Sequence, residues 1–148
     1  MSLDVDVAAD GVRVPLARRR VADLARAVLE AEGVTDAAIS IAFVRPSTIA
    51  TVNREHLGHK GPTDVISFPL AAAGGAPLGG DIYICPDVAA RNAVEHGVGL
   101  REEIARLVVH GTLHVLGHDH PEWQGRETSE MWHRQEAMLA RFEELWRA

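Results

Sequence analysis

Apolar and polar residues alternate near the start of the chain, and this alternation predicts a β-strand. Residues 3–8 read Leu-Asp-Val-Asp-Val-Ala, a period of two that places every second side chain on one face. We interpret three later segments, residues 38–44, 64–69 and 81–85, as further strands. The pattern therefore predicts a sheet of about four strands.

A different period predicts the helices. Between Pro15 and Glu32 the apolar residues recur at helical spacing, and Gly33 is placed to end that helix. We expect a short helix from Pro46 to about His56, and helical segments at about 86–96, 100–116 and 127–146. The last segment carries Met and aromatic residues on one side, as is typical of core packing: Met131, Trp132, Met138, Leu139, Phe142 and Leu145.

These elements favour an α+β fold with a single mixed sheet of about four strands packed against helices. No repeat or linker marks a boundary, so residues 1–148 are expected to form a single domain. Residues 71–80 are mostly alanine and glycine and have little to bury, so they are predicted to be a mobile loop.

The composition is that of an ordinary globular protein, with 47% hydrophobic and 24% charged residues. A formal net charge of −6 argues against a surface that binds nucleic acid over its whole extent, although it permits a local basic groove. The one cysteine, Cys85, excludes an internal disulfide and is expected to be buried at the end of a strand. Acidic residues near Met1 and the absence of a long apolar run favour a cytoplasmic location without membrane association.

Residues 110–120 carry the strongest chemical signal. His110 and His114 are four residues apart, so on a helix both imidazoles lie on one face and can reach one ion. Gly117 can adopt a left-handed conformation that ends the helix and returns His120 to the same point. Three protein ligands leave one position of a tetrahedral zinc ion open, as in catalytic sites. We therefore predict one zinc ion per chain on His110, His114 and His120, at the C-terminal end of a buried helix, although three imidazoles also suit nickel, cobalt or copper.

The surroundings of these ligands are less constrained by the sequence. His118 and His133 each stand alone on a helix face and are not expected to bind the metal. The second ring nitrogen of a ligating histidine usually contacts a carboxylate or a carbonyl, and Asp119, Asp64 and Glu103 are the candidates. Zinc held by nitrogen ligands lowers the pKa of bound water to about 7 or polarises a phosphoryl oxygen, so the site is predicted to be hydrolytic.

The residue after His110 separates two classes of hydrolase. Zinc peptidases with the pattern His-Glu-x-x-His-x-x-Gly-x-x-His use the glutamate as general base, whereas this chain has Gly111 there. Because glycine cannot accept a proton, amide hydrolysis is the weaker hypothesis. Phosphodiester cleavage, which depends mainly on charge neutralisation and positioning, fits the residues better.

Two blocks of the sequence resemble the YbeY family, bacterial single-strand-specific endoribonucleases that take part in ribosomal RNA maturation. The run from His110 to His120 is similar to the His-Gly-x-x-His-x-x-Gly-x-Asp-His signature of that family. The second block, from Pro62 to Phe68 and then from Gly80 to Ile82, is similar to its Pro-Thr-Asp-Val-Leu-Ser-Phe and Gly-Asp-Ile elements. The resemblance implies an α+β fold, zinc on the three histidines, a ribosomal RNA precursor as substrate, and the small ribosomal subunit as partner.

One position departs from that family. Many members carry an arginine, to which RNA cleavage is attributed, where this chain has Leu57. Leucine cannot bind a phosphate, so the contact is either absent or supplied by Arg54, His56, His59 or Lys60. Arg54, His59 and Lys60 are the predicted substrate-binding residues.

Three hypotheses remain open at this point. The first is a zinc-dependent endoribonuclease of ribosomal RNA maturation and ribosome quality control, in which Asp119 or a bound hydroxide takes the proton. The second is a zinc metallopeptidase-like hydrolase whose base comes from elsewhere in the chain. The third is a non-catalytic ribosome assembly factor in which zinc stabilises the helix end.

Overall fold

A computed structural model describes residues 2–70, 77–118 and 129–147. The strands are β1 (Leu3–Ala9), β2 (Ala37–Phe43), β3 (Val65–Leu70) and β4 (Leu78–Ile84). The helices are α1 (Arg18–Ala31), α2 (Pro46–Val52), α3 (Pro86–His96), α4 (Leu100–Val115) and α5 (Glu130–Arg141). A π-helical turn, Asn53–Leu57, continues α2, and a short 3-10 turn, Glu143–Leu145, follows α5.

The four strands form one sheet in the order β1-β2-β4-β3. β1, β2 and β4 are parallel, and β3 pairs antiparallel with β4 at the sheet edge. Parallel neighbours need a crossover connection, which α1 supplies between β1 and β2. The predicted α+β fold with a single mixed sheet is therefore confirmed.

The main core lies between one face of this sheet and the helices. The inward side chains of β2, Ile39, Ile41 and Phe43, are buried there, and the apolar stripe of α1 packs in the same cluster. The stripe of α5 behaves as predicted, because Met131, Met138 and Leu139 are buried and Phe142 and Leu145 pack partly buried against them. Trp132 of the predicted set is only half-buried.

Helix α4 is central to the packing, because it contacts β3, β4, α1, α3 and α5. Two glycines let it approach the sheet closely. A Cβ atom on Gly111 would lie 2.8 Å from Ile82 Cγ2, and one on Gly80 would lie 2.7 Å from Val115 Cγ1. This close contact fixes the C-terminal half of α4, which carries His110 and His114, against β3 and β4.

The prediction of a loop over residues 71–80 is wrong at its C-terminal end, because Leu78, Gly79 and Gly80 belong to β4. The glycines reflect tight packing, since a Cβ atom on Gly79 would lie 2.8 Å from the carbonyl oxygen of Ala38. Residues 71–76 lie outside the part of the chain that the structure describes.

A smaller cluster occupies the opposite face of the sheet, where Val44, Ile49, Ile66 and Cys85 are buried together. Cys85 follows β4 directly and is fully buried, as predicted. Among the helices of the described ranges, none combines the length and apolar character needed to cross a lipid bilayer.

Candidate metal centre

The two histidines of α4 lie one helical turn apart and face the same way. Their ring centroids are 6.3 Å apart and the ring planes differ by only 11°. His110 is 8% exposed and His114 is half-buried, so both rings are partly shielded from solvent. The arrangement expected from the four-residue spacing is therefore present for this pair.

Each ring is oriented by a polar side chain from another element. His110 Nδ1 lies 2.7 Å from Gln135 Oε1 on α5, and His114 Nδ1 lies 2.8 Å from Ser67 Oγ on β3. With both Nδ1 atoms in these contacts, Nε2 is the nitrogen that each ring would use for a metal. Two neighbouring imidazoles with fixed orientations are a donor set that suits zinc.

The sequence did not identify these two partners, and its candidates Asp64 and Glu103 form hydrogen bonds with other groups in the structure. Asp64 instead accepts a hydrogen bond from the Val65 N–H at 2.7 Å and another from the Asn92 amide at 3.1 Å. Glu103 accepts a hydrogen bond from Arg106 Nη1 at 3.1 Å. The third candidate, Asp119, lies outside the described residues.

Two signals could have pointed to the real partners. Gln135 is a polar residue on the apolar stripe of α5, four residues after Met131 and three before Met138. Ser67 falls on the same side of β3 as Val65, whose partner Ile84 faces the main core. A buried polar residue needs a hydrogen-bond partner, and a buried histidine is a natural one.

The turn after α4 has the predicted left-handed glycine. Gly117 has a φ of +99° and is the first residue beyond the helix cap. Its N–H donates to the His114 carbonyl at 3.0 Å, and the His118 N–H donates to the Leu113 carbonyl at 3.1 Å. These two bonds form a Schellman motif, which satisfies the last carbonyls of the helix and turns the chain.

His120 and Asp119 follow this turn but lie outside the described residues. Within residues 2–70, 77–118 and 129–147, no group of three histidine, cysteine or acidic side chains is placed to hold a metal. The pair is therefore present, and the contribution of His120 stays a prediction.

His118 takes a different role from its neighbours. Its Nε2 lies 2.5 Å from Glu32 Oε1, and the other oxygen of that carboxylate lies 2.7 Å from Arg134 Nη1. Glu32 thus joins the end of α1, the turn after α4 and helix α5. His133 is exposed on α5.

The predicted substrate-binding residues surround the π-helical turn. Arg54 lies in that turn and His59 and Lys60 follow it, and all three are exposed. The buried Asn53 amide donates to the Gly61 carbonyl at 3.0 Å, which holds the loop that leads into β3. Leu57 is 46% exposed beside them.

His56, an alternative candidate, has its ring centroid 5.4 Å from that of Phe68 in an edge-on arrangement. Its ring therefore contacts Phe68 of β3 while its side chain stays exposed.

Two surface grooves lie elsewhere. One, of about 370 Å³, is lined by Asp4, Asp6, Arg26, Ser40 and Asp81 among others. The other lies between the end of α1 and the exposed side of α5. Neither is lined by His110 or His114, so the histidine pair is identified by its chemistry and not by a cavity.

Comparison with known proteins agrees with the resemblance noted in the sequence. A family model described as Endoribonuclease YbeY matches residues 8–143. The endoribonuclease YbeY of Thermobifida fusca is 40% identical over 149 residues, which cover 95% of this chain and 93% of that protein. That of Frankia casuarinae is 40% identical over 133 residues, which cover 82% of this chain but only 65% of that relative.

The fold agrees as well. The solution structure of a Thermotoga maritima protein matches with a TM-score of 0.60 at 26% identity, covering 96% of this chain and 89% of that one. Because the family model spans most of the sequence and relatives at 40% identity align over nearly all of it, the chain belongs to the endoribonuclease YbeY family.

Proposed function

We propose that this chain is a zinc-dependent endoribonuclease that cleaves single-stranded parts of ribosomal RNA precursors and acts in ribosome quality control. The observation that carries the proposal is the pair of stacked, oriented imidazoles of His110 and His114 at the end of a buried helix. Family membership supports the nuclease activity. The small ribosomal subunit is the proposed partner and the cytoplasm the proposed location.

His110 and His114 would hold the zinc through Nε2, with His120 as the third ligand predicted from the sequence. Bound zinc would neutralise charge that develops on the scissile phosphate and lower the pKa of a bound water. Asp119 is proposed to accept the proton. Arg54, His59 and Lys60 are exposed cations or potential cations, and they would attract the RNA backbone on a chain whose net charge is −6.

Packing argues against the peptidase alternative. Gly111 occupies the place of the peptidase glutamate, and a Cβ atom there would meet Ile82 of β4 at 2.8 Å. The position thus faces the sheet too closely for any longer side chain. No observation in the described residues favours amide hydrolysis.

Leu57 favours a second candidate function. At 46% exposure it presents an apolar side chain where many family members present an arginine. A ribosome assembly factor that keeps the zinc site but does not cleave RNA would tolerate this residue. Zinc binding without RNA cleavage under any condition would favour this candidate over the nuclease.

The deciding experiment compares cleavage of a single-stranded RNA by the parent, His114→Ala and His133→Ala. His133 is the matched control because it is an exposed histidine on a different helix. If the metal supplies several kcal/mol of transition-state stabilisation, His114→Ala should cleave at least about 100-fold more slowly. The control should cleave like the parent, and chelation should abolish activity in both. Equal cleavage by His114→Ala and the parent would remove the metal from the mechanism.

A further inference from the structure

The buried amide of Gln135 connects the histidine pair to an ion network. Gln135 is 2% exposed, and its two polar atoms have different partners. Oε1 lies 2.7 Å from His110 Nδ1, and Nε2 lies 3.0 Å from Glu136 Oε2. The orientation of this amide decides whether His110 Nδ1 donates or accepts the hydrogen bond.

Glu136 fixes that choice. An ionised carboxylate only accepts hydrogen bonds, so the NH₂ end of Gln135 must face it. Arg106 keeps Glu136 ionised, because its Nε and Nη2 donate to the two carboxylate oxygens at 2.9 and 3.0 Å. Burial favours the neutral acid, but the hydrogen bonds from Arg106 and Gln135 and the charge of Arg106 outweigh it and lower the pKa of Glu136.

The amide oxygen of Gln135 therefore faces His110, and this oxygen cannot donate a hydrogen bond. His110 must supply the proton from Nδ1. A neutral imidazole with its proton on Nδ1 has its lone pair on Nε2, which is then the nitrogen able to bind a metal. In water a neutral histidine prefers the opposite tautomer, with the proton on Nε2.

We propose that Gln135 is a positioning residue that holds neutral His110 in its Nδ1–H tautomer, through a relay anchored by Arg106 and Glu136. The relay crosses the contact between α4 and α5. Arg106 precedes His110 by one helical turn on α4, and Gln135 and Glu136 are consecutive on α5. Arg106 is held in turn by Glu102 and Glu103, at 3.0 and 3.1 Å.

The contact of His114 differs in kind. The Ser67 hydroxyl can either donate or accept, so its 2.8 Å contact with His114 Nδ1 orients the ring without choosing the tautomer. Of these two contacts, the one between Gln135 and His110 is therefore the one that selects a tautomer. The role in metal binding rests on the proposed function, whereas the tautomer itself does not.

The test is ¹⁵N NMR of the histidine side chains in the full chain at neutral pH, as purified and after chelation. We expect the His110 proton on Nδ1 in both samples, with the exposed ring of His133 reporting the tautomer preference of a solvated imidazole. A His110 ring with its proton on Nε2 after chelation would overturn the proposal. This NMR measurement uses the parent protein, so it does not depend on whether a variant folds.

Two variants then separate positioning from mere packing. Gln135→Met keeps the volume but removes the acceptor, and it should lose the Nδ1–H signature and bind zinc about 10- to 100-fold more weakly. Gln135→Glu combined with Glu136→Gln exchanges the two groups, so that an acceptor still faces His110 and an amide donor still lies beside it, and this double variant should regain both properties. If Gln135 is only structural, both variants would unfold at lower temperature with the His110 tautomer and zinc affinity unchanged, and the proposal fails.

The outcomes also distinguish this proposal from the proposed function. Zinc bound by the parent with the His110 proton on Nε2 would contradict the role of Gln135 and leave the zinc enzyme intact. The Nδ1–H signature in a parent that binds no zinc would contradict the zinc enzyme and leave the tautomer assignment standing.

Discussion

Gly111 meets two separate requirements at the scale of a single residue. It lets α4 approach β4, since any Cβ would lie 2.8 Å from Ile82 Cγ2, and it leaves the site without the glutamate that a zinc peptidase needs. Ile82 is 1% exposed and β-branched, so its side chain has little freedom to move aside. Packing and reaction class are therefore linked at this position.

We expect Gly111→Ala to destabilise the protein although alanine is the better helix former. Overpacking costs about 1–3 kcal/mol, and the gain in helix propensity is about 1 kcal/mol. With a stiff neighbour, the free energy of unfolding in urea should fall by about 1 kcal/mol or more. In an Ile82→Ala background the same change should be neutral or stabilising, because the clashing atom is gone. An equal loss in both backgrounds would show that the contact with Ile82 is not the cause.

Individual site residues were predictable where one spacing determines them. The four-residue interval between His110 and His114 was sufficient to place both rings on one face of α4. Their partners Gln135 and Ser67 were not found, because each comes from a distant element and its contact depends on the tertiary fold. Sequence reasoning favoured carboxylates for this role, whereas the structure uses an amide and a hydroxyl.

At the scale of elements, a left-handed glycine ends α4. Gly117 closes the helix at a φ of +99°, and a Cβ atom there would meet nothing within 4 Å. Any cost of a side chain therefore comes from the backbone conformation and not from a clash.

Gly117→Ala should lower the free energy of unfolding by about 1–2 kcal/mol, the cost of the left-handed conformation for a residue with a Cβ atom. Gly117→Asn should lose less, because asparagine adopts this conformation more readily. Urea denaturation of both variants beside the parent measures the two losses. If alanine is tolerated as well as asparagine, the left-handed backbone is not what the glycine provides.

Most elements could be predicted because their hydrophobic periods are clear. The helix containing Val21, Leu24 and Val28 and the strand containing Ile39 and Ile41 are examples. The start of β4 was missed because Gly79 and Gly80 suggest a loop. In the fold they are strand residues that allow Val115 and the Ala38 carbonyl to pack closely. The π-helical turn at residues 53–57 likewise has no period that distinguishes it from an α-helix.

At the scale of the whole molecule, charged groups join α4 to α5. Arg106 binds Glu136 across the two helices and Glu102 and Glu103 along its own helix. Burial disfavours the charge of Arg106, but the hydrogen bonds that it donates to the three carboxylates outweigh this effect and raise its pKa. The network therefore stays charged at neutral pH and ties the helix of the histidine pair to the C-terminal helix.

This network makes stability depend on pH in a defined direction. The pKa of Glu136 is lower in the folded protein than the value of about 4.3 expected after unfolding. Its contribution is present above the unfolded pKa and is lost as the pH falls through the folded pKa. Between about pH 5 and pH 3 the parent should lose more stability than Glu136→Gln, measured by urea denaturation at each pH. Parallel curves for the two proteins would exclude Glu136 as a source of acid sensitivity.

The strand order was beyond the sequence alone, because the β1-β2-β4-β3 arrangement depends on which edge accepts the antiparallel strand. That order has a consequence for the site, since it places β3, with Ser67, beside the end of α4. The positions of His110 and His114 on α4 thus follow from a spacing that is visible in the sequence. The position of β3 beside them is not visible there.

The central claim is that His110 and His114 share a zinc ion through Nε2, and anomalous X-ray scattering at the zinc edge from crystals of the purified protein tests it most directly. We predict one anomalous peak per chain, about 2.0–2.1 Å from Nε2 of both rings. Ordered rings with no shared peak, or a peak bound through Nδ1, would contradict it.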